Sequence, residues 1–260
     1  MRFQDKAALI TGGASGIGAA TARLMVAEGA RVVVADLNET AGHALVGDLG
    51  ADRAEFLRCD VGEREQVEAM VKAAHKRFGR LDILFNNAGI GCFGETPDLD
   101  PEVWAKVIAI DLNSVFYACR IAIPLMRQAG GGVIINTASI SGLAGDYGFT
   151  AYNAAKGAVI NYTRALAIDH AKDNIRVNAL CPGLIDTPLT AVAKQMAGVL
   201  DVWLDAIPMK RAGTPEEMAK VVAFLASDDA SYVTGTIMVA DGGKTAATGQ
   251  PDLKRFMTSA

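Results

Sequence analysis

The stretch Lys6-Ala7-Ala8-Leu9-Ile10-Thr11-Gly12-Gly13-Ala14-Ser15-Gly16-Ile17-Gly18 decides the fold. An apolar run of strand length stops at glycines, and a segment with helical spacing follows (Ile17, Ala20, Leu24, Ala27). Glycines at 12, 16 and 18 between a strand and a helix let backbone N–H groups close on a pyrophosphate. The helix N-terminus adds its partial positive charge. The spacing is G-x-x-x-G-x-G rather than G-x-G-x-x-G, and a glycine cluster alone also fits a plain structural turn.

Outward from this turn, strand and helix signals alternate. Strands are expected at 6–11, 31–36, 55–59, 83–86, 133–138, 175–180 and 237–240. Helices are expected at 17–28, 39–49, 65–78, 101–127, 151–171 and 215–226, with Pro101 in the first turn of its helix. Apolar strands separated by helices predict a parallel sheet covered on both faces. Right-handed crossovers favour the doubly wound, Rossmann-type α/β arrangement in a single domain, 1–248. A variable loop at about 184–210 is the expected substrate loop, and 249–260 a polar tail.

Composition excludes several classes. A net charge of −4 without a basic run argues against nucleic acid. Charged and turn-forming residues (Arg2, Asp5, Lys6) come too early for a signal peptide, and no apolar stretch approaches the ~20 residues of a membrane span. The chain reads as cytoplasmic. Cys59, Cys92, Cys119 and Cys181 are scattered, and His43, His75 and His170 stand singly, so no metal site is expected.

Asp36 closes the second expected strand 18 residues after Gly18, where a carboxylate accepts both hydroxyls of an adenosine ribose. A cap on the next helix is the competing reading. Asp60, with Val61 beside it, follows the third strand and is placed for an adenine edge or, equally, for capping. Tyr152 and Lys156 lie four apart, on one face of a helix. A phenol with a reference pKa of about 10 is a poor base at neutral pH. Bringing it to about 7 takes roughly 4 kcal/mol, which a nearby ammonium and a positively charged nicotinamide ring would supply together. Ser139, just past the strand 133–138, points a hydroxyl into the crevice at the strand ends, with Ser141 as its rival.

Taken in order, these pieces resemble the short-chain dehydrogenases/reductases over nearly the whole chain. The matching residues are the Thr11–Gly18 turn, Asp60-Val61, Asn86-Asn87-Ala88-Gly89, Asn113, Ser139, Tyr152-x-x-x-Lys156, Pro182-Gly183-x-x-x-Thr187 and Asp241-Gly242-Gly243. The resemblance implies that Tyr152 is the general acid/base and that Ser139 orients the substrate carbonyl. Lys156 would lower the tyrosine pKa and bind the nicotinamide ribose. Asn113 would hold, through its backbone in a distorted helix, a water linking Lys156 to solvent. Asn87, Ala88 and Gly89 would line the ribose and ring, with Pro182, Gly183, Ile185 and Thr187 on the carboxamide and pyrophosphate. The turn residues Gly12, Ser15, Gly16, Ile17 and Gly18, together with Asp36, Leu37, Asp60 and Val61, complete the cofactor set. Relatives that use NADP carry a basic residue where this chain has Ser15 or Leu37, so NAD is the expected cofactor.

The expected reaction is hydride transfer between nicotinamide and an uncharged, moderately hydrophobic secondary alcohol or ketone, of cyclic, aromatic or steroid-like type. Candidate pocket residues are Cys92, Phe93, Leu143, Tyr147, Leu184, Leu189, Met196 and Trp203, and Lys194 is the only basic residue between Leu184 and Met209. The rivals are an NADPH-dependent 3-oxoacyl reductase and a non-catalytic NAD-binding regulator. The helix at 151–171 is small or apolar on almost every side, and 101–127 carries Val103, Val107, Ile110, Val115 and Phe116. These helices are expected to pair across a two-fold axis, and the resemblance implies a homotetramer.

Overall fold

The computed structural model describes residues 1–250, without the side chains of residues 192–194. The expected tail from residue 251 onward and the Lys194 side chain lie outside the described residues. Seven strands form one parallel sheet: β1 (Ala7–Thr11), β2 (Arg31–Asp36), β3 (Ala54–Arg58), β4 (Ile83–Asn86), β5 (Gly132–Thr137), β6 (Ile175–Pro182) and β7 (Ile237–Ala240). Their order is β3-β2-β1-β4-β5-β6-β7. The chain runs outward from β1 in one direction and from β4 in the other, so a crevice opens where β1 and β4 end, the place where such sheets bind ligands.

Both faces of the sheet are covered. Because successive strand residues point to opposite sides, Leu9 and Val33 face one core while Ala8, Ile10, Val32 and Val34 face the other. The first core is closed by α3 (Arg64–Phe78), α5 (Ser114–Gln128) and α6 (Thr150–His170). The second is closed by α1 (Gly16–Ala27), α2 (Glu39–Leu49) and α9 (Pro215–Ala226). Burial on two sides explains why β1 and β4 read as unbroken apolar runs. The start of α9 shows local sequence and fold in agreement. The Thr214 hydroxyl accepts from Glu217 N, the Glu217 carboxylate accepts from Thr214 N, and Pro215 takes the first turn, where no N–H is needed.

Three expectations change. The expected helix at 101–127 is two helices, α4 (Pro101–Ile108) and α5, joined by a π-helical turn at Ala109–Asn113. The loop at about 184–210 contains α7 (Pro188–Gln195) and α8 (Val199–Asp205), each too short to show a sustained period. Finally, Pro101–Gln128 taken whole is long and apolar enough to cross a membrane, which the sequence reading had denied. Half of its most apolar 18-residue window is buried here, and Val115, Cys119, Ala122 and Met126 of α5 pack into the core beside the sheet, as in a core helix of this fold.

Candidate active site

The site is built on the ends of β1, β4 and β5. Gly12 and Gly16 take positive φ (59° and 49°), and a Cβ at Gly12 would lie 2.9 Å from the Ala88 Cα. A Cβ at Gly18 would collide with the Gly12 carbonyl oxygen, so Gly18 lets α1 pack directly under the turn. Ser15 stands at the N-cap of α1 with no side-chain bond to the helix. Gly12, Ser15, Gly16 and Ile17 all line a cleft that runs past Asp36 and Leu37, Asp60 and Val61, to Gly89, Tyr152 and Lys156.

Thr11, expected only as the start of the matching turn, ties this floor together. Its hydroxyl accepts from Asn87 N (2.9 Å) and Ala88 N (3.1 Å). The Asn87 amide donates to the Thr11 and Gly12 carbonyls (both 3.2 Å), and its oxygen accepts from the Thr137 hydroxyl (3.3 Å). Asn87 thus braces the glycine turn as well as lining the cleft. The signal was a hydroxyl closing an apolar strand, where a backbone partner is needed.

Asp36 is not a helix cap. Asn38 caps α2, accepting from Ala41 N at 3.0 Å. The Asp36 oxygens accept from Ala14 N (3.0 Å) and Asn38 N (2.9 Å), which fixes the carboxylate against the glycine turn with lone pairs left for a ligand. Asp60 does not cap α3 either; it accepts from Gly62 N at 2.9 Å, while Glu63 holds the cap position. A dinucleotide fits these residues. Backbone approach is free where a Cβ is missing, and a fixed carboxylate waits one strand over.

The other end of the cleft holds the ionisable groups. Lys156 Nζ donates to the Thr137 carbonyl (3.0 Å), lies 5.5 Å from the centre of the Tyr152 ring, and forms a buried ion pair with Asp111 (3.1 Å). Burial depresses the ammonium, but the Asp111 carboxylate and Tyr152 outweigh it and hold Lys156 above its ordinary pKa. Burial likewise pushes the Tyr152 phenol up, Lys156 pulls it down, and Asp111 pushes it up again, for a net rise. The expected lowering by Lys156 is therefore present but overcome, chiefly by burial of the phenol, with Asp111 adding to the rise. Ser139 is buried, accepts from Ser141 N (3.1 Å) and favours the phenolate by hydrogen bonding to Tyr152. Ser141 has its backbone N–H in that bond.

Two groups of expected residues are absent from the lining of the cleft. Asp111 of the π-turn pairs directly with Lys156, and Asn113 ends the same turn, the distorted helix from whose backbone the resemblance implies a water link to Lys156. Asp111 is the only acid between Glu102 and Asp146, and a lone carboxylate in an apolar run has to find a cation, a signal the sequence did contain. Pro182 and Ile185 are buried and Gly183 packs on Asp241, because β6 runs on to Pro182 and pairs with β7. The chain returns to the cleft at Thr187, joined by Pro188 and Leu189.

The family model described as enoyl-(acyl carrier protein) reductase matches residues 12–245. The chain belongs to the short-chain dehydrogenase/reductase family. Meso-2,3-butanediol dehydrogenase of Serratia marcescens is 42% identical, over 97% of this chain and 100% of that protein. Cyclohexanol dehydrogenase of Acinetobacter sp. (strain SE19) is 44% identical, over 94% and 96%. The crystal structure of levodione reductase superposes with a TM-score of 0.89 at 40% identity, covering 95% of this chain and 100% of that one. The chain is thus an oxidoreductase of a family that uses a nicotinamide cofactor, on a Rossmann-type parallel sheet. Among the described residues, no group of three or more His, Cys, Asp or Glu side chains comes together as a metal site would require.

Proposed function

We propose that the chain is an NAD-dependent dehydrogenase of an uncharged, moderately hydrophobic secondary alcohol, cyclic, aromatic or steroid-like, or a reductase of the matching ketone. The observation that carries this reading is one continuous cleft with Asp36 at one end and Tyr152–Lys156 at the other. A bound nicotinamide would accept or give the hydride. Tyr152 takes the hydroxyl proton in oxidation and returns it in reduction, Ser139 orients the substrate oxygen, and Lys156 holds charge beside the phenol. The retention of these three groups speaks against a non-catalytic regulator.

The substrate reading rests on the side chains expected around the pocket, of which Leu189 lines the cleft. Phe93, Leu143, Tyr147, Leu189 and Met196 are all exposed apolar or aromatic side chains, and Phe93, Phe149 and Tyr152 form a chain of edge-on rings with centres 5.8 and 6.5 Å apart. Gly94 and Phe149 pair as a short bridge, which ties the loop after β4 to the start of α6. Butanediol and cyclohexanol, named in the two relatives, are uncharged secondary alcohols. A carrier-bound thioester, the substrate of the NADPH-linked rival, would want more cations than Lys194 alone. A panel of neutral alcohols and ketones, phosphate esters and acyl-carrier thioesters, assayed with both cofactors by the absorbance of reduced nicotinamide, tests this. Neutral substrates should win by at least about tenfold in kcat/KM, or roughly 1.4 kcal/mol. A preference for the thioester would overturn the reading.

The assembly we favour is a homotetramer in the cytoplasm. Ile168 on α6 is 79% exposed and Phe116 on α5 47%, with Val103 and Trp104 of α4 also uncovered, an apolar surface suited to pairing. Light scattering at micromolar concentration should give about four times the chain mass, and a monomer would rule the pairing out. All four cysteines are free, and burial holds the Cys59 and Cys181 thiols up at about 11 and that of Cys119 at about 12, so these three stay protonated at neutral pH.

A further inference from the structure

We infer that Asp111 is a positioning residue of the catalytic pair: it holds Lys156 in place and sets the pH at which Tyr152 becomes a base. The inference rests on the dehydrogenase reading above. Asp111 is 1% exposed, carried by the π-turn between α4 and α5. One carboxylate oxygen accepts from Ile90 N at 2.9 Å. The other lies 3.1 Å from Lys156 Nζ, a buried contact of opposite charges. Gly89 keeps the space open, since a Cβ there would lie 3.0 Å from that oxygen and 3.3 Å from Nζ.

The ammonium therefore has Tyr152 on one side and a carboxylate on the other. Seen from the phenol, the pair is closer to a dipole than to a cation, and opposite charges this close cancel much of each other's field. The other groups facing the pair are few. Asp146, in the loop before α6, acts on Tyr152 in the same sense as Asp111 but more weakly. Ser139 after β5 favours the phenolate, and the Cys181 thiol of β6, facing Lys156, stays protonated at neutral pH. Asp111 is thus the acid that most directly offsets Lys156. It biases the resting site toward the neutral phenol, the form that gives a proton to a carbonyl, and delays the phenolate that alcohol oxidation needs.

Asp111→Asn removes the charge while its amide oxygen can still accept from Ile90 N. Two readouts are compared with the unmutated chain: ultraviolet difference titration of the Tyr152 phenolate, assigned by subtracting Tyr152→Phe in each background, and the pH profile of kcat/KM for alcohol oxidation. Both the phenolate midpoint and the rising limb of the profile should move to lower pH by about one pH unit or more. A limb that stays put, moves up, or gives way to a uniform loss at every pH would overturn the inference, since each marks a merely structural role. If Asp111→Asn fails to fold by circular dichroism, Asp111→Ala is measured the same way, with the same shift expected. If the unmutated chain turns over no alcohol with either cofactor, the dehydrogenase reading fails, and the phenolate titration alone decides whether Asp111 governs Tyr152.

Discussion

Replacing Tyr152 by phenylalanine is expected to lower kcat by about 10²–10⁴, the usual worth of a positioned general acid/base, while fold and cofactor binding survive. The substitution keeps the ring. Its edge-on contact with Phe149, with centres 6.5 Å apart, remains, as does the Lys156 ammonium 5.5 Å from the ring centre. Only the hydroxyl that moves the proton is lost. Steady-state kcat, read beside a fluorescence titration of cofactor binding, separates the two effects. A loss below about tenfold would mean that proton transfer runs through another group. Lys156→Ala is the poorer probe. It strands the buried Asp111 carboxylate without its cation, which costs about 3–5 kcal/mol of stability and confounds any rate.

The unmutated enzyme should prefer NAD over NADP by at least about a hundredfold in kcat/KM, roughly 2.7 kcal/mol. The 2′-phosphate of NADP would meet a carboxylate that cannot swing away, because both Asp36 oxygens are held by backbone N–H groups of Ala14 and Asn38. Like charges at about 4 Å cost roughly 1 kcal/mol in water and about 4 kcal/mol at an effective dielectric of 20. Lost hydrogen bonds from the ribose to a charged acceptor add about 1.5–3 kcal/mol. No cation comes from Ser15 or Leu37, and Arg58, opposite Asp36 in the β2–β3 register, is paired with Glu39 at 3.1 Å. Asp36→Ala combined with Leu37→Arg should narrow or reverse the preference. Equal kcat/KM for the two cofactors in the unmutated chain would show that the repulsion is neutralised by rearrangement, Arg58 leaving Glu39 being the first place to look.

What could be read in the sequence followed burial. Strands buried on two faces read as largely apolar runs, and β2 and β4 begin and end where their runs do; β7, half-exposed at the sheet edge, also matches its expected bounds. Residues whose role depends on the chain immediately beside them were equally legible. Gly12, Gly16, Asp36 and the Tyr152–Lys156 pair lie together along one cleft. The reading failed where geometry departs from a period. A π-turn has no apolar signature of its own, so 101–127 was bounded as one helix, with a distortion at Asn113 expected only from the resemblance, and Asp111 beside Lys156 went unread. Pro182 closes β6 against β7, with Gly183 and Ile185 just beyond, a pairing that nothing local announces; their expected contacts with the cofactor came from the resemblance. The bracing role of Thr11 went unread because its partners, Asn87 and Ala88, are more than 70 residues away.

The π-turn also fixes how many residues the chain can have here. Val107 of α4 packs with Ala151 and Ala155 of α6, whereas Val115, Cys119, Ala122 and Met126 of α5 belong to the core on the sheet. Each residue added to or removed from a helix rotates everything beyond it by about 100°. Deleting one residue from Ala109–Asn113 to make the helix regular would keep one of these faces seated only by turning the other toward water. Asp111 would be re-aimed in the same movement. Length at this point is therefore set twice, once by the core and once by the chemistry. Side chains in the segment can be exchanged one at a time, but insertions and deletions are barred from it.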